Sequence, residues 1–410
     1  MTMKDWRLRA AGLVWVCSLA VASACAAHPE RKARTLSEQE MTDIMVGSSI
    51  QASRSSNSPP MIKTVKQAIA GGKRFTLIAP EDVPDTWTVV LPSGIGGGGA
   101  WEYVRDRTKQ QNLPTVPDGA LKAIQALETH LGKKFDAVMR VEASGATLSA
   151  FQVASALGLP VVDACISGRA HPELSQSTTF INGVPMAPVA LVSRWGDTIF
   201  LDQTVDDYRV EDLARAFAVA SGGSISAAGR VMSGSTMKKS VIHGSISQAL
   251  LFGRTVREAK AQGQDPVAAL LKVSNGYQLF RGVVTKADMK GDRGFTWWDV
   301  ELKGTGAFAG HTYKVFVKNE NIVTWLDGVP DAMSPDFISN LDPATGDAIA
   351  GQGLGGYPLG QDVTMVGIPA SPMWRTAKGI EVFGPRHFGF DFDYRPIEEI
   401  QRTRRGVGTN

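Results

Sequence analysis

The chain has 410 residues, more than one hydrophobic core usually holds, so the length predicts two domains. Hydrophobic residues make up 43% and charged residues 20%, with 43 glycines, which excludes a disordered chain and indicates a folded protein rich in tight turns. The formal net charge of +3 is too small to predict a nucleic-acid partner.

Residues 1–27 predict a cleaved signal peptide. Lys4, Arg7 and Arg9 precede a long uncharged run of apolar and small residues. We therefore expect an exported protein, periplasmic or secreted, that meets a membrane only if this leader is uncleaved or lipidated. Cleavage leaves Cys165 as the only cysteine, so no internal disulfide can form and the fold must be stabilised by its core.

An α/β domain is predicted over residues 37–205, after a polar linker at residues 28–36. Ser37 and Glu40 have capping-box spacing and predict the first helix. Residues 46–60 are poor in apolar side chains and predict an exposed loop. Four apolar runs predict strands; in chain order they are "KRFTLIAP", "TWTVVLPSG", "FDAVMRVEA" and "LPVVDA".

The last two of these runs are joined by "GATLSAFQVASALG", which has helical spacing and ends on Gly158. This is the pattern of a strand, helix and strand in a parallel sheet. Both strands are apolar on both faces, as expected when helices cover the two sides of the sheet. The first domain is therefore predicted to contain a mainly parallel sheet.

Residues 206–410 predict helices followed by a β-rich domain. The helical segments are "VEDLARAFAVAS" and "STMKKSVIHGSISQALLFGRTVREAKAQG", the second with an interruption at Gly244. Beyond Gly276 the chain has short alternating runs separated by glycine, typical of an antiparallel sheet or a small barrel.

Three predicted strands carry candidate functional groups to one edge of the sheet. In open parallel sheets, ligands bind at the carboxyl ends of the strands. One strand ends in a glycine-rich loop, the next in Glu142, and the third in Asp163. A carboxylate at the end of a buried strand is usually paired, caps the next helix, or takes part in chemistry. Helix capping remains the alternative for Glu142, and for Asp163 the alternative is a loop held by salt bridges, because Arg169 and Glu173 follow it.

The glycine-rich loop predicts close approach of a ligand to the backbone. Its Gly96, Gly97 and Gly98 amides could bind an anionic or carbonyl group. Residues 94–99 also match G-x-G-x-x-G, so a nucleotide-dependent enzyme is one alternative function. The following segment, "QNLPTVPDG", is a poor second strand because it contains two prolines.

The loop "VVDACISGRAHPEL" is dense in reactive side chains. Arg169 could bind substrate or hold the loop through a salt bridge. Cys165, His171 and Glu173 offer sulfur, nitrogen and oxygen to a zinc ion, with His243 as a further ligand, although their spacing matches no standard metal motif. The cofactor prediction therefore stays open between none and a divalent metal such as zinc.

At this loop the chain resembles the S-methyl thiohydantoin desulfurase family. The resemblance covers nearly all of the mature chain. It rests on the segments "GLPVVDACISGRAHPEL", "GRTVREA", "VKNENIV", "SPDFISNLDPATGDAI" and "GIEVFGPRHFGFDFDYRPIEE". It implies an N-terminal α/β domain, a β-rich C-terminal domain, and hydrolysis of a substituent on a five-membered thiohydantoin ring.

Several residues match family positions, and others depart from them. The matching residues are Glu142, Asp163, Gly168, Arg169, Pro172 and Glu173. The departures are Cys165 in place of an acid, His171 in place of an aromatic residue, and Thr147 in place of asparagine. These departures leave the substrate open, and they leave open a second alternative, an exported small-ligand binding protein without catalysis.

The resemblance and the residue types together suggest roles for the reaction. Glu142 or Asp163 would be the base that activates water. Arg169 and the glycine amides would stabilise the intermediate. His171 or His243 would donate a proton to the departing thiol, or Cys165 would attack first and form a covalent adduct. The predicted partner is a small molecule, and the oligomeric state is left open.

Overall fold

The structure is a computed structural model that describes residues 32–53, 58–96, 104, 106, 112–349 and 356–407. The predicted signal peptide, residues 28–31 of the predicted linker, Gly97 and Gly98 lie outside the described residues. In the described part of the chain, no helix combines the length and the apolar character needed to cross a membrane.

Eight strands among the described residues form a mixed sheet in the first half of the fold. In chain order the strands of this half are β1 Arg34–Thr35, β2 Thr76–Ile78, β3 Thr88–Gly96, β4 Ala137–Met139, β5 Val161–Val162, β6 Ala164–Cys165, β7 Val189–Ser193, β8 Thr198–Leu201, β9 Ser224–Ser233 and β10 Ile242–His243. The order across the large sheet is β1-β2-β5-β4-β3-β9-β7-β8, while β6 pairs with β10 in a separate ribbon.

The centre of the large sheet is parallel, as predicted. Strands β2, β5, β4 and β3 are parallel neighbours, and they coincide with the four apolar runs of the sequence. Strand β9, which was not predicted, runs antiparallel to β3 and pairs with it from Thr88 to Gly96. A strand from beyond residue 205 therefore completes the sheet of the first half.

Helices precede, connect and follow the strands of the large sheet. They are α1 Glu38–Ile50, α2 Ser58–Ala70, α3 Gly119–Leu131, α4 Gly145–Leu157, α5 Thr178–Ile181, α6 Asp207–Ala220, α7 Gly234–Ser240, α8 Ser245–Ala261, α9 Pro266–Ser274, α10 Ala377–Phe383 and α11 Ile397–Val407. The capping box of Ser37 and Glu40 begins α1, and Gly158 ends α4 in a left-handed conformation, both as predicted. Gly244 separates α7 from α8, also as predicted.

The prediction of an exposed loop at residues 46–60 is wrong for residues 46–53, while residues 54–57 lie outside the described residues. Helix α1 continues to Ile50, and its last residues are buried against α8. A Cβ atom on Gly47 would lie 1.8 Å from the carbonyl oxygen of Ala249, and one on Gly253 would lie 1.9 Å from that of Asp43. The small residues that suggested a loop instead let two helix backbones approach closely.

The second half is β-rich, which confirms the predicted fold class. Its described strands are β11 Tyr277–Asp292, β12 Phe295–Gly304, β13 Thr312–Lys318, β14 Glu320–Leu326, β15 Val329–Met333, β16 Phe337–Leu341 and β17 Asp362–Ile368. They form one antiparallel sheet in the order β15-β14-β13-β12-β11-β17-β16. The sheet curves as a half-barrel. Strands β14 and β16 therefore come into contact, and the Asn321 side chain on β14 donates a hydrogen bond of 3.2 Å to the Ile338 carbonyl oxygen on β16.

Candidate active site

A cavity of about 230 Å³ lies where the carboxyl ends of β3 and β4 face the second sheet. We call it the site cavity. Its polar walls come from both halves of the fold: Ser93, Glu142, His171, Glu173, Arg215, Arg230, Thr296, Asn319 and Glu320. Its apolar walls are Leu91, Val141, Ile166, Pro172, Leu174 and Met186. The position agrees with the general rule for ligand sites in open α/β sheets.

Glu142 enters the site cavity three residues after β4 ends. Its side chain is 27% exposed, and its Oε2 accepts a hydrogen bond of 3.0 Å from the backbone N–H of His171. Burial raises the pKa of Glu142 to about 7, although that hydrogen bond and the positive charges of nearby arginines act in the opposite direction. Near neutral pH this carboxyl group can therefore both take up and release a proton.

His171 presents an unprotonated ring nitrogen toward Glu142. Its Nδ1 lies 2.8 Å from the carbonyl oxygen of Glu173, and because a carbonyl only accepts, Nδ1 carries the proton. Nε2 lies 3.9 Å from Glu142 Oε2 and has no hydrogen-bond partner among the described residues. Burial lowers the pKa of His171 to about 4 despite its bond to Glu173, so the ring is neutral at pH 7.

Glu173 is held by two basic side chains from the second half of the chain. Lys318 Nζ contacts Oε1, and His387 Nε2 lies 2.7 Å from Oε2. Burial acts to raise the pKa of Glu173, but the hydrogen bond from His387 and the charge of Lys318 outweigh it and lower the pKa to about 2. The fixed Glu173 backbone in turn orients the His171 ring.

Arg215 joins three walls of the site cavity. Its guanidinium donates to the carbonyl oxygens of Gly96 at 2.6 Å, Gly294 at 2.9 Å and Pro172 at 2.8 Å, and it pairs with Glu211 at 2.6 Å. These bonds connect the end of β3, the loop that carries His171, and the turn between β11 and β12. Arg215 was not singled out from the sequence, because its partners are far apart along the chain.

Arg230 is the second buried arginine in the cavity wall. It pairs with Asp207 at 2.8 Å and donates to the Thr179 hydroxyl at 2.9 Å. Burial lowers its pKa, which the neighbouring Asp207 partly restores. Both arginine charges of the cavity are thus balanced by carboxylates of the protein.

Asp163 does not line the site cavity. Its Oδ1 accepts hydrogen bonds from the backbone N–H groups of Ile246 at 2.8 Å and Ser247 at 3.0 Å, and its Oδ2 accepts one from the Ser247 hydroxyl. These bonds satisfy the first amides of α8, so Asp163 caps a distant helix, which differs from the salt-bridged loop with Arg169 and Glu173 that the sequence suggested. The geometry therefore separates Asp163 from Glu142.

Arg169 also lies outside the site cavity and connects the two halves of the fold. Its guanidinium donates to the carbonyl oxygens of Asp336 at 2.7 Å and Asn321 at 2.9 Å. The group lies 5.4 Å from the ring centre of Phe337 and 5.2 Å from that of Phe383. Burial lowers its pKa to about 10. These contacts favour the structural alternative for this residue.

The other predicted residues are dispersed. Thr147 is buried and accepts a hydrogen bond of 2.8 Å from Arg140, and His243 is paired with Glu81 at 2.8 Å on the surface. Gly96 lines the site cavity as the last residue of β3, and the glycine-rich loop that follows it lies outside the described residues.

Cys165 is fully buried on β6, and its Sγ accepts a hydrogen bond of 3.0 Å from the backbone N–H of Gly168. His171 and Glu173 line the cavity, but they face different partners. The His171 ring Nε2 faces Glu142, and the Glu173 carboxylate contacts Lys318 and His387. Among the described residues no three His, Cys, Asp or Glu side chains are grouped as a metal site. The arrangement therefore does not bring the three candidate zinc ligands together.

Arg140 is a buried residue beneath the site that the sequence analysis missed. It follows β4 directly and is 0% exposed. Its guanidinium donates to the side chains of Thr147 at 2.8 Å and Gln51 at 3.1 Å and to the Ser245 carbonyl oxygen at 2.8 Å. The apolar sequence around it suggested only a buried strand.

Two family models together match most of the chain. The model described as the S-Me-THD-like N-terminal domain matches residues 39–203, and that of the S-Me-THD-like C-terminal domain matches residues 205–397. The chain belongs to the S-Me-THD-like family. Both matched parts of this family member contribute to the site cavity, the first through Glu142 and His171 and the second through Arg215 and Glu320.

Comparison with solved structures supports the fold of this S-Me-THD-like chain. An X-ray structure of a protein from Chromobacterium violaceum has a TM-score of 0.69 and 21% sequence identity, over 89% of this chain and 100% of that one. At this level of identity the likeness concerns the fold alone. A comparison with curated proteins gives no match.

Proposed function

We propose that this S-Me-THD-like protein is a hydrolase acting on a small cyclic amide-like molecule, a thiohydantoin that carries a methylated sulfur on a ring carbon. One observation carries the proposal: Glu142, with a pKa of about 7, lies in the site cavity beside the unprotonated Nε2 of His171. A base with this pKa and this position suits the activation of water near neutral pH.

The attacking water would lie between Glu142 and His171. When Glu142 is ionised, its Oε2 and the His171 Nε2 are both acceptors, 3.9 Å apart. A water molecule can approach each at about 2.8 Å and donate one hydrogen to each. Its oxygen lone pair then faces the site cavity, where the ring would be bound.

In the reaction, the water oxygen bonds to the ring carbon that carries sulfur while Glu142 takes a proton from the water. The carbon–sulfur bond then breaks, and methanethiolate departs with a proton returned by Glu142. One water is consumed, and the products are the hydantoin-type ring and methanethiol. His171 serves as an acceptor and not as the proton donor, because a pKa of about 4 keeps its ring neutral.

The proposed setting is an exported one, supported by the basic and then apolar leader at residues 1–27. The proposed partner is the small-molecule substrate. In the proposed reaction Glu142 carries the proton transfers. A divalent metal, if the reaction uses one, would not be held by Cys165, His171 and Glu173 together.

The direct test is Glu142→Gln, assayed by release of methanethiol from S-methyl thiohydantoin. Gln cannot accept the proton, so turnover should fall by a factor of about 100 or more while binding of the ring is retained. Glu301→Gln, which removes an exposed carboxylate on β12, is the matched control and should keep wild-type activity. Turnover by Glu142→Gln at the wild-type rate would exclude Glu142 as the base.

A second candidate function is binding without catalysis. The observation in its favour is that Arg215, Arg230 and Glu173 already have charged protein partners. The polar walls of the cavity are therefore held in place before any ligand binds. In that case wild-type protein would bind thiohydantoins and hydantoins and release no methanethiol, with or without added zinc.

A further inference from the structure

A second cavity of about 370 Å³ adjoins the site cavity. We call it the side cavity. Ser93, Gly94, Glu142 and Glu320 line both cavities. Because Glu142 stands at this junction, a ring that presents its reacting carbon to Glu142 can direct a substituent into the side cavity.

The walls of the side cavity are formed mainly by small residues, serines and alanines among them. Besides the shared residues they are Ala52, Ala120, Ser144, Gly145, Ala146, Ser149, Ala170 and Ser226. Within the described part of the chain, these walls include no aromatic side chain and none of Leu, Ile, Val or Met. An apolar substituent would meet only alanine methyl groups there, in contrast to the larger apolar side chains in the wall of the site cavity.

Two hydroxyl groups in the side cavity are available to a ligand. Ser149 lies on α4, and Ser226 lies opposite on β9. No hydrogen bond joins either hydroxyl to another residue in the ranges that the structure describes, although a helical serine can bond the carbonyl four residues earlier. The neighbouring Thr147 and Ser48 hydroxyls, in contrast, are both engaged by Arg140.

We propose that the side cavity is a subsite for the ring substituent, and that it selects a short uncharged polar group ending in a carboxamide or a hydroxyl. Ser149 and Ser226 donate hydrogen bonds to this end and accept hydrogen bonds from it. An anionic end would lie close to the carboxylates of Glu142 and Glu320. This inference rests on the proposed function, since it places the reacting ring in the site cavity.

The test measures calorimetric binding of three hydantoins to the full protein. Their ring substituents are hydrogen, isobutyl and carboxamidomethyl; the last two are close in size and differ mainly in polarity. We expect the carboxamidomethyl compound to bind most tightly to the wild type. Ser149→Ala and Ser226→Ala should each weaken its binding by about five-fold, the effect of one hydrogen bond, and leave the other two compounds within two-fold.

Two further variants complete the experiment. Ser155→Ala, on the same helix but outside the side cavity, is the matched control and should change none of the three affinities. Ala146→Leu fills the side cavity from the first turn of α4. It should therefore weaken the binding of both substituted compounds and leave the binding of the unsubstituted compound unchanged. Equal losses for all three compounds, tighter binding of isobutyl, or no binding of any compound to wild type would overturn the subsite.

The same variants separate the subsite from the proposed function when methanethiol release is assayed in parallel. Selective loss of carboxamidomethyl binding without any turnover by wild type supports the subsite and rejects the hydrolase. Turnover by wild type with no selective loss in the serine variants supports the hydrolase and rejects the subsite.

Discussion

His171 meets Glu142 through two different nitrogen atoms. Its backbone N–H donates to Glu142 Oε2 at 3.0 Å, and its ring Nε2 lies 3.9 Å from the same oxygen. The backbone bond stabilises the ionised carboxylate, whereas the ring nitrogen can only accept. The protonation of Glu142 therefore determines whether the pair presents two acceptors or an acceptor and a donor, and several measurable properties follow from that equilibrium.

The first prediction concerns the pH dependence of turnover. Only ionised Glu142 can take a proton from water, so kcat/KM for S-methyl thiohydantoin should rise with pH through about 7 and level off above it. His171, with a pKa of about 4, adds no change in this range. Initial rates of methanethiol release from pH 5 to 9 check the prediction, and a flat profile would contradict it.

The second prediction concerns stability. The folded protein raises the pKa of Glu142 from 4.5 to about 7, so the folded state holds this proton more tightly, and wild-type stability is lost as pH rises from about 4.5 to 7. Glu142→Gln does not titrate. Its free energy of unfolding should exceed that of wild type by about 2 to 3 kcal/mol at pH 8 and by much less at pH 4.5. Urea unfolding at both pH values tests this, and an equal difference at both would speak against a raised pKa.

The third prediction separates the two nitrogens of His171. His171→Asn keeps an N–H near the position of Nδ1, for the bond to Glu173, but removes the acceptor at Nε2. Turnover should fall by about 10- to 100-fold with little change in melting temperature. His171→Gln, which places a polar group near Nε2, should recover part of the activity. If both variants keep wild-type turnover, the ring does not hold the attacking water.

The position of Glu142 could be predicted from the sequence because it follows from local patterns. Buried parallel strands and a helix ending at Gly158 place the carboxyl end of β4 at a ligand-binding edge. The same reasoning predicted that Asp163, which follows β5, belongs to the site, but its side chain caps α8 instead. Both strands are apolar on both faces, so the sequence does not indicate which face a residue at their ends will occupy.

The rest of the site depends on contacts between distant parts of the chain. Arg215 bonds to Gly96 and Gly294, and Glu173 bonds to Lys318 and His387. No periodicity or spacing in one sequence connects such segments. The alternating strands of the second half were predictable, but not that they would form one side of the site cavity.

The fourth prediction tests the role of Asp163. Its two oxygens accept hydrogen bonds from Ile246 and Ser247 at the start of α8, and it lies outside the site cavity. Asp163→Ala should therefore lower the free energy of unfolding by about 1 to 2 kcal/mol, as loss of a helix cap does, with kcat within about two-fold of wild type. Denaturant unfolding and initial rates at a temperature where the variant is folded check both parts. A loss of kcat comparable to that of Glu142→Gln would mean that Asp163 takes part in the reaction.

The fifth prediction concerns the pair of Lys318 and Glu173. Lys318→Met leaves a buried carboxylate with one partner fewer, and it removes a charge 4.2 Å from the ring centre of Phe295. We expect a loss of about 2 to 4 kcal/mol in the free energy of unfolding at pH 7. Because the folded pKa of Glu173 is lowered to about 2, its stabilising effect is present above 4.5 and is lost as pH falls toward 2, so the variant should approach wild type at low pH.

Lys314→Met is the control for the fifth prediction, because Lys314 lies on the same strand and pairs with Glu301 on the surface at 3.2 Å. An exposed pair of this kind contributes about 0 to 1 kcal/mol, so this variant should stay close to wild type at every pH. The Lys318 variant should also lower kcat more than it raises KM, since Glu173 orients the His171 ring through its carbonyl oxygen. Equal losses of stability in the two lysine variants would mean that Glu173 does not depend on Lys318.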